Sequence, residues 1–545
     1  MKLLYVLSFT LILSSCMKTK EVDLIIHNGN IVSVTEDNLI FEAMAIKDGR
    51  IVAIGKEQQI LNKYSSLESI DLQLDWVYPG FIDAHCHFLG YGLSLQQVEL
   101  KGSKSFEEVV ERCVNFDKNR ISTWIEGRGW DQTIWKNPDN PIKKELDDKF
   151  PNTPVLLRRI DGHMAIANQS ALNIAGITTE TEILGGFIEV LNGELTGVIS
   201  DKAVDHIRQF IPKPNEQQKK KALLDAQRNC FAVGLTTVDD AGLNKSDVQL
   251  IENLEKSEEL KMRMYIMLSD TKENFDYYLD TVGGPYKTDR VNVAAFKFYG
   301  DGALGSRGAC LLRPYSDVDS AHYGMLLSNP DYYREKAQLI YDRGFQMCTH
   351  SIGDSTSRLI LNIYGDILGG KNDKRWRIEH AQVVDSADFK LFKEFNIIPS
   401  VQPTHATSDM RWARLRLGKT RTRFGYAYQK LLYQNEFIAL GTDFPIENIS
   451  PIETFYAAVA RKNKNGMPKN GFQIENALSR WETLKGMTIW AALSNFEEQD
   501  KGSLEVNKLA DFIILDRNIL AVPEDEILET QVKATYINGE LVYKQ

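Results

Sequence analysis

The chain changes its hydrophobic rhythm twice. Near the start, "DLIIHNGNIVSV" and "AMAIKDGRIVAIG" are short apolar runs broken by Asn-Gly and Asp-Gly, the pattern of strands joined by tight turns. "ADFIILDRN" and "VKATYINGELVYK" repeat that pattern near the end. Between them, short apolar runs alternate with amphipathic helical stretches, the rhythm of βα units and a parallel sheet. Eight runs read as strands: "GFIDAHCHF", "GLTTVDD", "MRMYIML", "VAAFKFYGDGA", "FQMCTHSIGD", "RWRIEHAQ", "IIPSVQP" and "FIALGTDFP". Most close on polar or ionisable residues at their C-terminal ends, the face on which (β/α)8 barrels carry their sites. An open doubly wound sheet competes with this reading, but it wants a Gly-rich phosphate turn after its first strand. Here that strand ends in histidines.

The expected class is therefore α/β: a distorted (β/α)8, TIM-like barrel over residues 80–500. A small composite β-sandwich would close it from both termini, residues 17–79 and 501–545. The stretch from about 95 to 228 is too long for a simple βα connection and reads as an insertion after the first barrel strand, covering the barrel mouth. Residues 1–16 stand outside this scheme. "MKLLYVLSFTLILSSC" has one lysine, an apolar run and small residues ending at Cys16, the form of a secretory signal. Its apolar run is shorter than the ~20 residues a spanning helix needs. The ending Leu13-Ser14-Ser15-Cys16 resembles a bacterial lipobox, which implies lipidation of Cys16 and export to a membrane face, with a lipid anchor as the membrane contact.

Composition changes the picture in two ways. A hydrophobic fraction of 43% and a charged fraction of 25% suit a folded soluble body. The net charge of −10, with no basic stretch against it, argues against nucleic acid as a partner and leaves a small molecule as the expected one. Oligomeric state is not readable. The remaining cysteines, Cys86, Cys113, Cys230, Cys310 and Cys348, are odd in number and lack Cys-X-X-Cys spacing, so they suggest neither a disulfide framework nor a zinc ribbon.

Candidate chemistry gathers at the strand ends. Side chains alternate along a strand, so His85 and His87 share one face while Cys86 packs behind. The fourth strand adds Lys297, the fifth His350, the sixth His380 and the eighth Asp443. Four imidazoles and a carboxylate on one barrel face form a metal site by residue type alone. A metal-independent glycosidase could recruit Asp239, Asp301 and Asp443, but it would leave those histidines without a role. A solute-binding lipoprotein is the non-enzymatic rival.

These motifs together, with "FKFYGDGALGSRGA", "THSIGD", "RIEHAQ", "GTDFPI" and "LADFIILD", resemble the amidohydrolase superfamily, in its amidohydrolase-3, YtcJ-like branch of N-substituted formamide deformylases. The resemblance implies hydrolysis of a non-peptide C–N bond by a metal-activated water. It implies one or two divalent ions, zinc first among the candidates, held by His85, His87 and Asp443 and by His350 and His380. Lys297 would bridge them as an N6-carboxylated lysine, and Asp443 would also move the proton. Weaker substrate-binding candidates are His163, Asp301, Arg307, Trp130 and His405. The same centre also serves decarboxylases, isomerases and esterases, so the ligands do not name the bond cleaved. One expectation is testable at once: Cys16→Ser should shift the protein from the membrane fraction to a soluble or unprocessed form. Unchanged membrane attachment would remove the lipid anchor.

Overall fold

The computed structural model describes residues 19–35 and 37–545; the expected signal and Cys16 lie outside the described residues. Eight parallel strands form the barrel: β1 (Phe81–Cys86), β2 (Leu235–Leu243), β3 (Arg263–Ser269), β4 (Val291–Tyr299), β5 (Gln346–Ser351), β6 (Arg377–His380), β7 (Ile398–Val401) and β8 (Ala439–Leu440). They pair in chain order from β1 to β8, each of the eight expected runs supplying one strand. Helices cover the outside, among them Lys245–Lys256, Pro330–Asp342, Asp354–Leu368 and Pro451–Ala460. On β4, Phe296 and Phe298 point into the helix-facing core, whereas Lys297 between them is buried on the opposite, barrel-interior side. Cys86 likewise joins the outer core with Phe88, Leu223 and Phe231.

Closure of the barrel falls to the segment just after β8. The Asp443 N–H donates to His85 O at 2.7 Å, and His87 N–H to Phe444 O at 2.8 Å. Asp83 adds a side-chain stitch: its carboxylate accepts from Thr442 N (3.0 Å), Thr442 Oγ1 (2.6 Å) and His85 N (3.2 Å). Full burial pushes the Asp83 carboxyl up to about 7, with the Thr442 bonds opposing.

The chain ends form two larger sheets beside a two-stranded pair, Lys20–Glu21 with Tyr64–Ser65. One runs Arg50–Gly55, Ala43–Lys47, Leu24–His27, Glu68–Asp71; the other runs Glu540–Lys544, Val532–Ile537, Phe512–Leu515, Trp76–Pro79, Asn30–Val32, Ile40–Phe41. Strand alternation lets the second sheet serve two cores. Phe512 and Ile514 pack with Leu24, Ile26 and Met44 of the first sheet, while Ile513 and Leu515 pack with the barrel. Arg263 of β3 ties the layers together by an ion pair to Asp511, with 2.5 Å between Nε and Oδ2.

The stretch after β1 carries a six-stranded sheet, Val98–Glu99, Ile125–Trp130, Val155–Arg159, Met164–Ala167, Glu194–Asp201, Gly186–Leu191. Its limits are narrower than the sequence suggests. Helix Glu216–Ala232 places Ala222, Leu223, Ala226 and Cys230 in the barrel core, so it is the barrel's own helix between β1 and β2.

Gly441 tests the closure. A Cβ there would lie 2.5 Å from His85 N and 2.8 Å from Asp83 Oδ1. Gly441→Ala should lower stability by the ~1–3 kcal/mol typical of overpacking, read as a drop in thermal midpoint. An unchanged midpoint would contradict the closure described.

Candidate metal centre

Five of the strands, β1, β4, β5, β6 and β8, deliver an ionisable residue at or close to the C-terminal end, where chain direction turns outward. Two of these residues are held in the left-handed region, His380 at φ 74° and Asp443 at φ 62°. Such conformations cost of order 1–3 kcal/mol for a non-glycine residue and gather at functional sites. Here they turn an imidazole and a carboxylate towards the same mouth.

Three of the imidazoles, those of His85, His87 and His380, share one arrangement. His87 Nδ1 donates to Ala241 O at 2.9 Å, an acceptor that leaves no choice of tautomer. His85 Nδ1 meets Glu379 Oε2 at 2.5 Å, and His380 Nδ1 meets Gln402 Oε1 at 2.7 Å. A ring whose Nδ1 proton is committed presents an Nε2 lone pair. Around that face, His87 Nε2 lies 3.3 Å from Asp443 Oδ1, and His85 Nε2 lies 3.8 Å from it. Lys297 Nζ is 3.1 Å from His85 Nε2. His405, in the first turn of helix Pro403–Arg421, brings Nε2 to 3.5 Å from Asp443 Oδ2.

Burial fixes the charge states. With Lys297 alongside, it pushes His85 down to about 4 and His350 down to about 3, and it holds His380 well below the usual imidazole range. These rings are neutral near pH 7, the form that ligates. Lys297 is also pushed below its ordinary range by burial, against the pull of Glu379 and Asp443. Asp443 goes the other way: burial opposes its charge, but the polar imidazole surroundings, His87 nearest at 3.3 Å, hold its carboxyl well below the usual carboxylate range.

The donor set fits a divalent cation on two observations. His85, His87 and Asp443 offer donor atoms within 4.8 Å of one another, as do His380, His405 and Asp443. His350 Nε2, His405 Nε2 and Asp443 Oδ1 are buried without a hydrogen-bond partner, which costs free energy unless another acceptor of lone pairs is present.

The structure brings His85, His87, Lys297, His350, His380, His405 and Asp443 to this one mouth. His350 sits with its ring 4.5 Å from that of His380, but it lies in neither three-donor set among the described residues. Its Nε2 is 3.7 Å from Asp301 Oδ1.

The other substrate-binding candidates have structural partners instead. Asp301 is buried and accepts from Ile352 N, Gly353 N, Cys310 N and Thr356 Oγ1, so it ties the loop after β4 to the end of β5. Arg307 pairs with Asp317 at 3.0 Å. Trp130 is 0% exposed and donates Nε1–H to Leu157 O inside the inserted sheet, which leaves no surface for a ligand. His163 is exposed and bonded to Asp201 at 2.9 Å.

Glu379, Arg377 and Gln402 are the functional neighbours that sequence reasoning missed. The Arg377 guanidinium, fully buried, pairs with Glu379 (2.7 Å) and Asp239 (2.9 Å) and also donates to Ser400 Oγ (3.0 Å). Although burial opposes it, Arg377 and His85 hold the Glu379 carboxyl below its usual range. The sequence signal was present: Arg377 and Glu379, two apart on β6, share the barrel-interior face.

A barrel with neutral, oriented imidazoles and an ionised carboxylate at its C-terminal mouth is built as a metal-dependent hydrolase. The chain belongs to the amidohydrolase family, whose model matches residues 68–543. It is similar to the YtcJ protein of Bacillus subtilis, 29% identical over 95% of this chain and 99% of that protein. It is also similar to N-substituted formamide deformylase of Arthrobacter pascens, 26% identical over 96% of this chain and 98% of the relative. Among solved structures, an uncharacterized metal-dependent hydrolase from Pyrococcus horikoshii superposes with a TM-score of 0.77 at 27% identity, covering 92% of this chain and 99% of that one.

Glu379→Gln keeps shape and removes the charge that orients His85. It should weaken zinc binding by ~10–100-fold, the usual cost of losing such a partner, measured by competition with a chromogenic chelator. Cys86→Ala, altered on the outer face, should bind zinc as the parent does. Equal affinity in Glu379→Gln would remove its orienting role.

Proposed function

We propose that this protein hydrolyses a non-peptide C–N bond of a small N-acyl or N-formyl amine, as an exported enzyme tethered by a lipid on Cys16. The observation that carries the hydrolytic reading is the set of imidazoles with committed Nδ1 atoms gathered around the unpartnered Asp443 oxygen. The family and its formamide deformylase member support the choice of bond. The Cys16 tether rests on the N-terminal sequence.

His85, His87, His380 and Asp443 would hold the metal, with His350 and Lys297 beside them. A divalent ion so held lowers the pKa of water from about 15.7 to about 7 and polarises a carbonyl. The rest falls to the chain itself. Asp443, ionised and buried, would accept a proton from the attacking water and return it to the departing nitrogen. That return separates an amide from an ester, because an amine must be protonated to leave. Glu379 and Gln402 keep the ring nitrogens of His85 and His380 from rotating out of use. Lys297, buried at 1% exposure and pushed towards its neutral amine, can add CO2 at Nζ, release one N–H proton to solvent and become an anionic two-oxygen carbamate. In a ¹³C-bicarbonate buffer its carbamate carbon would give a resonance that Lys297→Ala lacks.

The test is a panel of N-formyl and N-acyl amines beside their matching esters, run with metal-loaded protein. Amide turnover is expected; turnover of esters alone would overturn the C–N reading. Asp443→Asn should retain metal through at least one site while kcat falls by ~10²–10⁴, the usual contribution of a general base. Parent turnover in metal-loaded Asp443→Asn would remove Asp443 from proton transfer.

A further inference from the structure

The His85–His87 pair uses Asp443 Oδ1, which leaves the second oxygen of that carboxylate to be explained. Asp443 Oδ2 faces His405 Nε2 at 3.5 Å, a separation longer than a good hydrogen bond. His405 Nε2 is buried without a hydrogen-bond partner. Its ring lies nearly parallel to that of His380, 20° between planes and 5.8 Å between centroids. His380, with Nδ1 committed to Gln402, presents Nε2 on the same side. Donor atoms of His380, His405 and Asp443 fall within 4.8 Å of one another.

A bland explanation would make His405 a packing residue of helix Pro403–Arg421. It does not account for an imidazole nitrogen sealed from both water and protein acceptors. Packing alone favours an apolar side chain there, since an unpaired buried polar atom costs about 1–3 kcal/mol. A substrate contact would account for the nitrogen but not for the shared approach of His380 and Asp443.

We propose that His405 is a metal donor, closing with His380 and Asp443 a second cation set that shares Asp443 with the His85–His87 set. The helix after β7 thus contributes a histidine to the centre alongside the strand-end ligands. A carboxylate offers about four lone-pair positions, so sharing Asp443 between two cations leaves a position for proton transfer. The inference rests on the metal-dependent reading above and deepens it.

The experiment strips the full chain of metal, then titrates it with zinc and counts bound equivalents by elemental analysis after desalting. The parent should bind two equivalents. His405→Ala should bind one, and His405→Glu, which restores an anionic donor on a similar reach, should recover the second with weaker affinity. Thermal midpoints of the metal-free proteins, expected to match, separate lost ligation from misfolding. Two equivalents in His405→Ala, or a parent that binds only one, would overturn this inference and leave the metal-dependent reading standing. A parent that binds no zinc would overturn both.

Discussion

Arg377 is a guanidinium sealed inside the barrel, and its charge is answered by Glu379 on its own strand and by Asp239 on β2. Buried ion pairs are poor sources of stability, because desolvation offsets most of the attraction. Removing one partner is another matter: it strands a charge and typically costs 3–5 kcal/mol. The value of this arrangement is directional. With Arg377 holding one side of Glu379, the carboxylate stays ionised and fixed, and its other oxygen takes the Nδ1 proton of His85. Asn495 reinforces the base of the column by donating to Asp239 at 2.6 Å. An imidazole at the mouth is therefore oriented by a buried ion pair directly behind it.

Barrel closure and the site are the same event. The backbone bonds that join β1 to the segment after β8 run through His85, His87, Asp443 and Phe444. Closing the sheet thus sets two histidines and the aspartate against one another without further adjustment. The left-handed backbone at His380 and Asp443 is strain that a free chain would relax. It is held by surrounding burial: Gln402 fixes the His380 ring, and Thr442 is clamped by Asp83. The terminal sheets support the barrel from outside, because Ile513 and Leu515 pack into its outer core. The inserted sheet has its own core, and Trp130 and Trp135 are buried there rather than at the centre.

Much of this was legible in the sequence. Period-two alternation placed His85 and His87 together and Cys86 behind, and strand-end position alone picked out Lys297, His350, His380 and Asp443. What was not legible depended on distant pairing. Glu379 and His85 are 294 positions apart, and Thr442 and Asp83 are 359 apart, so no local pattern announces either bond. Arg307 and Trp130 show the opposite failure. Their local motifs suggested a ligand surface, but an ion pair to Asp317 absorbs the one and the interior of the inserted sheet absorbs the other. His405 lies between these cases: its place after β7 was visible, whereas the approach of its Nε2 to Asp443 depends on the closed barrel.

The central claim is that this mouth holds metal through Nε2 atoms oriented from behind. The most direct measurement is an anomalous-difference map from crystals of the zinc-loaded full chain, collected on both sides of the zinc edge. The account predicts a peak in contact with His85, His87 and Asp443. A well-loaded crystal with no peak at these residues, or with zinc bound only elsewhere, would contradict it.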